Sequence, residues 1–197
     1  MAELKFYTHP MSRGQTVRWM LEEVGEPYET EILDYASTMK AEPYLSVNPM
    51  GKVPAIAHKG KVVTEVAAIC CYLADAFPEA GLAPDPKDRA DYYRWIFFTS
   101  GPVEAAFSNK AAGWEPTPER QRMFGYGNYD LAINTLEKAL SGRDYIASDR
   151  FTAADLFVGA NVNFMLQFSL LDPRPGFTDY ATRMTHREAF RRARGMD

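Results

Sequence analysis

The stretch that decides the fold is Asn48-Pro49-Met50-Gly51-Lys52-Val53-Pro54-Ala55-Ile56, where two prolines flank a glycine and a lysine. Proline has no N–H for a strand ladder, so Pro54 belongs at the edge or start of a strand that continues to Ala57. Because only X-Pro bonds reach the cis form at low cost, we expect a cis Val53–Pro54 bond. The Val53 N–H and C=O would then face outward and pair with an extended peptide as an added strand. The same residues also fit a plain loop that leads into an edge strand and binds nothing.

Length and composition predict a globular chain with room for two small domains. It has 197 residues, of which 46% are hydrophobic and 24% are charged. A net charge of −4 gives no electrostatic support for nucleic-acid binding. The sequence contains no apolar run of about 20 residues, so we expect no membrane span. The N-terminus runs directly into a strand pattern, and we expect no signal peptide.

The cysteines and histidines predict neither disulfides nor a metal site. Cys70 and Cys71 are neighbours, and adjacent helical side chains cannot form an ordinary disulfide. This usage fits a reducing compartment, and we expect a cytoplasmic protein. His9, His58 and His186 are scattered without metal-ligand spacing.

Strand and helix patterns alternate through the first 77 residues. A strand at 4–8 precedes a helix whose apolar residues recur at helical spacing and which stops at Gly25. Strands at 27–33, 53–57 and 62–64 follow, with a weakly helical segment at 36–47. A last helix carries Cys70 on its apolar stripe, which favours a core residue over a nucleophile. The order β-α-β-α-β-β-α is typical of a thioredoxin-like domain.

The second half of the chain reads as helical. Residues 78–88 combine prolines, a glycine and charges, and predict a linker. Pro102 is expected to kink or end the helix in which it lies. Thr152-x-x-Asp155 predicts a capping box at a helix start. We interpret Glu22 and Glu23, and the arginine-rich C-terminal segment, as solvated helix faces.

Several segments resemble cytosolic glutathione transferases. They are Asn48-Pro49-x-Gly51-Lys52-Val53-Pro54-x-Ile56, Thr64-Glu65-Val66-Ala67-Ala68-Ile69 with Tyr72-Leu73-Ala74, Phe151-Thr152-Ala153-Ala154-Asp155-Leu156, and Ser12-Arg13-Gly14. The resemblance, to the family's bacterial type, implies an α/β thioredoxin-like N-terminal domain at 1–77, a linker at 78–88 and an all-α domain at 89–197. It also implies a homodimer that uses glutathione as co-substrate.

A glutathione transferase must lower the pKa of a thiol that is mostly protonated at neutral pH, with an ordinary value of about 8.5. A hydroxyl donor near the start of a helix serves this purpose. Ser12 is the first candidate donor and Tyr7 the second, at the end of strand one. The alternatives are a helix cap for Ser12 and a core strand residue for Tyr7. Arg13 faces either the ligand or solvent.

The resemblance assigns further contacts to glutathione. Val53 would pair with its cysteinyl backbone beside the cis residue Pro54, and Lys52 would lie near the glycyl carboxylate. Glu65 begins the element that meets the γ-glutamyl end. The family usually has a serine next, and this chain has Val66. Loss of that hydroxyl predicts binding weaker by about 1.5–3 kcal/mol.

The expected function is an enzyme that conjugates the glutathione thiolate to small hydrophobic electrophiles in a pocket between the domains. One alternative is a non-catalytic, glutathione-transferase-like binding protein, which Val66 keeps open. Another is a glutathione-dependent isomerase. Thiol-disulfide chemistry is disfavoured because no cysteine lies near the first helix.

Overall fold

A computed structural model describes residues 3–195 of the chain. These residues form two compact units, one made of 3–83 together with 187–195 and the other of 84–186. The division into domains at 1–77, a linker at 78–88 and a domain at 89–197 stays a prediction. The structure adds that the last helix packs within the first unit.

The first unit contains a mixed four-stranded sheet. Its strands are β1 (Leu4–Thr8), β2 (Glu29–Ile32), β3 (Ala55–His58) and β4 (Lys61–Thr64), in the order β2-β1-β3-β4. β1 and β2 are parallel, while β3 is antiparallel to both β1 and β4. The helix between β1 and β2 supplies the crossover that a parallel pair requires. The predicted thioredoxin-like sheet is confirmed.

Three helices accompany this sheet in the predicted order. They are α1 (Gly14–Val24), α2 (Tyr44–Val47) and α3 (Val66–Ala76), with a 3-10 turn at Thr38–Lys40 before α2. α1 ends at Gly25, whose φ of 80° is the left-handed conformation that glycine adopts without a steric cost. Cys70 is fully buried on α3, which confirms that it is a core residue. Burial raises the pKa of its thiol, so the thiol stays protonated.

The last helix in chain order, α9 (Glu188–Arg194), also belongs to the first unit, where it packs against α1. Trp19 and Phe190 meet edge to face with 5.0 Å between ring centroids. Arg187 donates to both carboxylate oxygens of Glu23 at 2.6 and 2.8 Å. The expectation that Glu22 and Glu23 lie on a solvated face is therefore wrong, whereas Arg191, Arg192 and Arg194 are exposed as expected. The Glu23 side chain is only 7% exposed in its pair with Arg187.

The second unit is helical over the described residues. Its helices are α4 (Ala90–Phe98), α5 (Glu104–Ala111), α6 (Tyr129–Leu140), α7 (Ala153–Gln167) and α8 (Pro175–Thr185). Pro102 lies in a π-helical turn, Thr99–Val103, that separates α4 from α5. The expected break in this helix is confirmed, since proline cannot give the N–H that a regular α-helix needs.

The start of α7 carries the predicted capping box. The Asp155 carboxylate accepts the Thr152 N–H at 2.9 Å, and the Thr152 hydroxyl oxygen accepts the Ala154 N–H at 3.3 Å. Asp155 also accepts the Ile146 N–H at 2.7 Å and the Tyr180 hydroxyl at 2.8 Å. Burial raises the pKa of Asp155 even though these hydrogen bonds oppose that shift. This carboxylate therefore joins α7 to α8 and to the segment before α7.

Strand two departs from its predicted extent. β2 begins at Glu29, not at residue 27, and Ile32 at its end is 62% exposed. Among residues 3–195, β2 pairs with β1 alone and is therefore an edge strand of the sheet. None of the helices within 3–195 is long and apolar enough to cross a bilayer.

Candidate functional site

The strand register brings three candidate segments to one edge of the sheet. Tyr7 on β1 lies opposite Ala55 on β3, and Ala55 lies opposite Thr64 on β4. The segment after β1, the segment before β3 and the segment after β4 therefore leave the sheet at the same edge. Those segments carry Ser12 and Arg13, then Lys52 to Pro54, then Glu65 and Val66. Residues far apart in sequence are thus collected at one site.

Ser12 lies in a short connection between β1 and α1 that is held by its own hydrogen bonds. Its hydroxyl donates to the His9 carbonyl oxygen at 2.6 Å and accepts the Gly14 N–H at 3.0 Å. Ser12 is half-buried, and Arg13, also half-buried, occupies the N-cap position of α1. The serine thus makes a capping contact at the start of α1, within the segment that leaves β1 at this edge of the sheet.

Glycine is required at position 14 by the close approach of α1 to β1. A Cβ added there would clash with the Thr8 hydroxyl oxygen and would lie 2.9 Å from the Ser12 hydroxyl oxygen. The first turn of α1 therefore starts closer to the end of β1 than any other residue permits. This contact fixes the distance between the strand and the helix that together carry Ser12.

Tyr7 points into a buried cluster. It is 9% exposed and packs with Tyr44 at 5.4 Å between ring centroids, in a cluster that also contains Leu33, Met39 and Ala55. Val53 packs against the same cluster from the site edge. Tyr7 thus occupies the core position that was the alternative to a catalytic role for this residue.

The turn before β3 is held by side chains that sequence reasoning did not single out. The buried Asn48 donates from Nδ2 to the Lys52 carbonyl oxygen at 2.8 Å and accepts the Met50 N–H at 3.1 Å. The Tyr44 hydroxyl donates to that same Lys52 oxygen, and burial raises its pKa to about 12, which keeps the donor proton in place. An asparagine at a turn start was the available signal, because its side chain bonds to backbone two residues on.

This turn delivers Val53 to the site. The Val53–Pro54 bond is cis, as predicted, and Pro54 is buried while Val53 is half-buried. The Lys52 side chain is exposed. Its backbone carbonyl, by contrast, is the anchored atom of the turn.

The start of α3 shows backbone strain. Glu65 precedes Val66 with φ 66° and ψ 118°, a conformation that residues with a Cβ rarely adopt. The Glu65 side chain is exposed and gives no hydrogen bond to cap α3. Non-glycine residues persist in such conformations where the surrounding structure imposes them, and such positions cluster at functional sites.

His9 and Tyr35 also belong to this edge, and sequence reasoning missed both. Their rings lie 4.3 Å apart between centroids, and the Tyr35 hydroxyl donates to the Met11 carbonyl oxygen at 3.0 Å. The His9 Nδ1 accepts the Met11 N–H at 3.1 Å. No motif links position 35 to position 11, so only the folded chain reveals this contact.

Chemically, the edge offers the Ser12 hydroxyl, the Val53 backbone beside β3 and the N-terminus of α3. These groups suit a small anionic peptide that carries a polar reacting atom. Among residues 3–195, no group of three or more histidine, cysteine, aspartate or glutamate side chains is placed to hold a metal ion.

Comparison with protein families identifies both halves of the chain. Residues 11–76 match the model of the glutathione S-transferase N-terminal domain, and residues 128–188 match that of the C-terminal domain. The chain belongs to the glutathione S-transferase family. The family match at 11–76 contains Ser12, Arg13, the turn at 48–54 and the start of α3.

Individual glutathione S-transferase relatives are distant but align over most of the chain. Glutathione S-transferase GST-4.5 of Xanthomonas campestris is 29% identical, over 79% of each protein. Protein LigF of a Sphingobium species is 31% identical, over 70% of this chain and 66% of LigF.

Solved structures agree with the family fold. A glutathione transferase from Methylococcus capsulatus is 28% identical with a TM-score of 0.77, covering 98% of this chain and 97% of its own. The glutathione transferase URE2P6 of Phanerochaete chrysosporium, solved with oxidized glutathione, has a TM-score of 0.78 over 98% of this chain and 94% of its own. Because URE2P6 and this chain share only 24% sequence identity, this structural similarity supports the fold alone.

Proposed function

We propose that this protein is a glutathione transferase that conjugates the glutathione thiolate to small hydrophobic electrophiles. Glutathione is the co-substrate of its family. The observation that carries the proposal is the convergence of Ser12, Val53 and the start of α3 at one edge of the sheet. In the reaction, the thiolate sulfur attacks an electrophilic carbon, the leaving group departs with its electron pair, and the thiol proton passes to solvent. A ring-opened epoxide or an enal instead takes up a proton.

Within this proposal, glutathione lies extended along the site edge. The Val53 backbone pairs with its cysteinyl backbone, and the exposed Lys52 ammonium attracts the glycyl carboxylate. The N-terminus of α3, at Glu65 and Val66, receives the γ-glutamyl carboxylate, because a helix N-terminus favours negative charge. Arg13 adds positive charge at the start of α1.

The energetics favour transfer of the Ser12 hydrogen bond from His9 to the sulfur. Its present bond to the His9 carbonyl joins two neutral groups and contributes about 1 kcal/mol. A hydrogen bond to a charged acceptor contributes about 1.5–3 kcal/mol. Rotation of the hydroxyl toward a thiolate is therefore favourable, and the Gly14 N–H still donates to the same oxygen.

Ser12→Ala is the variant that tests this role. Loss of the donor should raise the pKa of the bound thiol and slow turnover near neutral pH by about ten- to hundredfold. Turnover should recover in part as the pH rises and the thiolate forms without help. Tyr7→Phe is the matched control, and we expect it to keep the wild-type pH profile. If Tyr7→Phe shows the pH-dependent loss and Ser12→Ala does not, the donor is Tyr7.

Binding is tested by calorimetry with reduced glutathione, followed by an activity screen with chlorinated aromatics, epoxides and enals. Val66→Ser should tighten glutathione by about ten- to hundredfold, because it adds a hydroxyl for the γ-glutamyl carboxylate. No glutathione binding by wild type or by Val66→Ser would reject the proposal.

The exposed Met11, 79% accessible beside Ser12, offers apolar surface to the electrophile.

A second candidate function is a non-catalytic glutathione-binding protein. One observation favours it: the Ser12 hydroxyl already donates to the His9 carbonyl oxygen. Under this alternative, calorimetry would show binding while the pKa of the bound thiol stays at its solution value.

The proposal includes a cytoplasmic homodimer. The two cysteines are both free thiols, which fits a reducing compartment. Homodimers are typical of the family, and sedimentation at twice the 22.2 kDa chain mass is the expected result. A single species at the chain mass would reject the dimer.

A further inference from the structure

We propose that Gln15 is a positioning residue for Ser12, and that Arg194 on α9 holds Gln15 in the required orientation. The inference rests on the proposed role of Ser12. It begins from two hydrogen bonds that meet on one amide. Arg194 Nη1 donates to Gln15 Oε1 at 2.6 Å, and Gln15 Nε2 donates to the Pro10 carbonyl oxygen at 2.8 Å.

The chemistry of the two partners fixes the amide in one orientation. A guanidinium only donates hydrogen bonds, and a carbonyl oxygen only accepts them. If the Gln15 amide turned over, its NH₂ would face the Arg194 donors and its oxygen would face the Pro10 oxygen. Both contacts would then be repulsive. Arg194 therefore determines that Gln15 presents its donor to Pro10.

Pro10 is the point where this hydrogen bond acts on the site. It follows His9, whose carbonyl oxygen accepts the Ser12 hydroxyl, and it lies two residues before Ser12. From the Tyr35 side, the same connection is held by the Tyr35 hydroxyl, which donates to the Met11 carbonyl oxygen at 3.0 Å. Besides its own internal hydrogen bonds, the connection that carries Ser12 is thus held by the side chains of Tyr35 and Gln15.

Small displacements of this connection matter because the Ser12 hydroxyl must meet the sulfur within hydrogen-bonding distance. A misplacement of about 1 Å can lower a rate by about a hundredfold. The two hydrogen bonds therefore link α9 to the activation of the thiol, although Arg194 lies 179 positions after Gln15 in the sequence. In this proposal, Gln15 and Arg194 act through the position of Ser12 and not through a contact of their own with glutathione or the electrophile.

The main test variant is Gln15→Met, which keeps side-chain length and helix propensity and removes both hydrogen bonds without adding charge. We expect kcat near neutral pH to fall about tenfold, with recovery at higher pH, because Ser12 no longer stabilises the thiolate fully. The ultraviolet absorbance of the thiolate in the glutathione complex should titrate with a raised pKa. The KM for glutathione should stay within roughly twofold, since the carboxylate contacts are unchanged.

Variants on α9 separate positioning from general packing. Arg194→Ala should shift the thiol pKa in the same direction by a smaller amount, and Arg194→Lys should restore it because lysine also donates to Oε1. Arg192→Ala is the matched control: it removes the bond from Arg192 Nε to Glu22 at 3.1 Å, another contact between α9 and α1. We expect it to leave the pH profile unchanged. An equal shift in Arg192→Ala and Arg194→Ala would overturn the proposal.

A second measurement is independent of catalysis. The Gly14 N–H donates to the Ser12 hydroxyl, so its amide resonance in NMR reports the position of that oxygen. Arg194→Ala, which lies far from Gly14 in the sequence, should shift this resonance, and Arg192→Ala should not. If wild type binds glutathione without lowering the thiol pKa, the proposed transferase function fails. The Gly14 resonance then still tests whether Arg194 and Gln15 set the position of the Ser12 hydroxyl. An unchanged Gly14 resonance in Arg194→Ala together with an unchanged pH profile in Gln15→Met would overturn it.

Discussion

Replacing Glu65 by glycine is expected to stabilise the protein while weakening its binding of glutathione. Glu65 stands at φ 66° and ψ 118°, where a Cβ causes steric conflict, and its side chain gives no capping hydrogen bond in return. Glycine adopts such a conformation freely and is tolerated at an N-cap. The change therefore removes strain and loses no hydrogen bond at the start of α3.

Two opposing effects set the size of the gain. Backbone strain of this kind costs about 1–3 kcal/mol. Glycine also gives the unfolded chain more freedom, which offsets about 0.5–1 kcal/mol of that gain. The net stabilisation is about 0–2.5 kcal/mol. For a chain of this size, each kcal/mol raises the Tm by about 2–4 °C.

Glutathione affinity should change in the opposite direction. In the wild-type chain, the backbone that presents the start of α3 is already held in place. A flexible glycine must be ordered when the ligand binds, at a cost of about 1 kcal/mol, which is roughly fivefold in Kd. Thermal unfolding followed by circular dichroism measures the first effect, and calorimetry with reduced glutathione measures the second.

Lys59→Gly is the matched control. Lys59 also has a positive φ, of 50°, but it lies in the turn between β3 and β4 at the opposite end of the sheet from Glu65. We expect it to change stability without changing the Kd for glutathione. A lower Tm for Glu65→Gly would refute the strain argument. Equal changes in Kd for both variants would refute the link between strain and binding.

Three further predictions concern other parts of the chain. Asp155→Ala should destabilise the protein by about 3–5 kcal/mol in urea unfolding, because it leaves buried donors without an acceptor. Tyr180→Phe removes a single hydrogen bond and should cost about 1.5 kcal/mol. Equal losses of stability in the two variants would contradict this account. Gly14→Ala should destabilise by about 1–3 kcal/mol through its clash with Thr8 and should reduce turnover, so wild-type activity would be the contrary result. Burial lowers the pKa of His58 below its usual 6.5, so the stability linked to its neutral form is present above that pH and is lost as the pH falls through the lowered pKa. His58→Gln should therefore lose less stability than wild type on acidification, as measured by urea midpoints across this range.

Local patterns predicted most of the first unit and of its site edge. Helical spacing and Gly25 located α1, and the proline-flanked stretch at 48–56 located both β3 and the cis bond. The capping box at Thr152 was equally readable. Each of these features depends on residues within a few positions of one another, where sequence determines geometry directly.

The features that were missed depend on distant partners. Glu23 was interpreted as solvated because its partner, Arg187, lies 164 positions away. Strand two was predicted from residue 27, because alternation alone does not show that its pairing with β1 begins at Glu29. The positive φ of Glu65 carried no signal at all, because glutamate gives no hint of a left-handed conformation.

The position of α9 in the first unit has a consequence for synthesis on the ribosome. The Trp19 ring on α1 meets Phe190 only after residues 84–186 have been made. At about 5–20 residues per second, the delay for roughly 100 residues is about 5–20 s. The entropic cost of bringing α9 back to α1 grows only slowly with the length of the intervening chain, by about 0.6 kcal/mol for each doubling. During that interval, the N-terminal part of the chain exposes an apolar helix face to chaperones, so the unit that emerges first is the last to be completed.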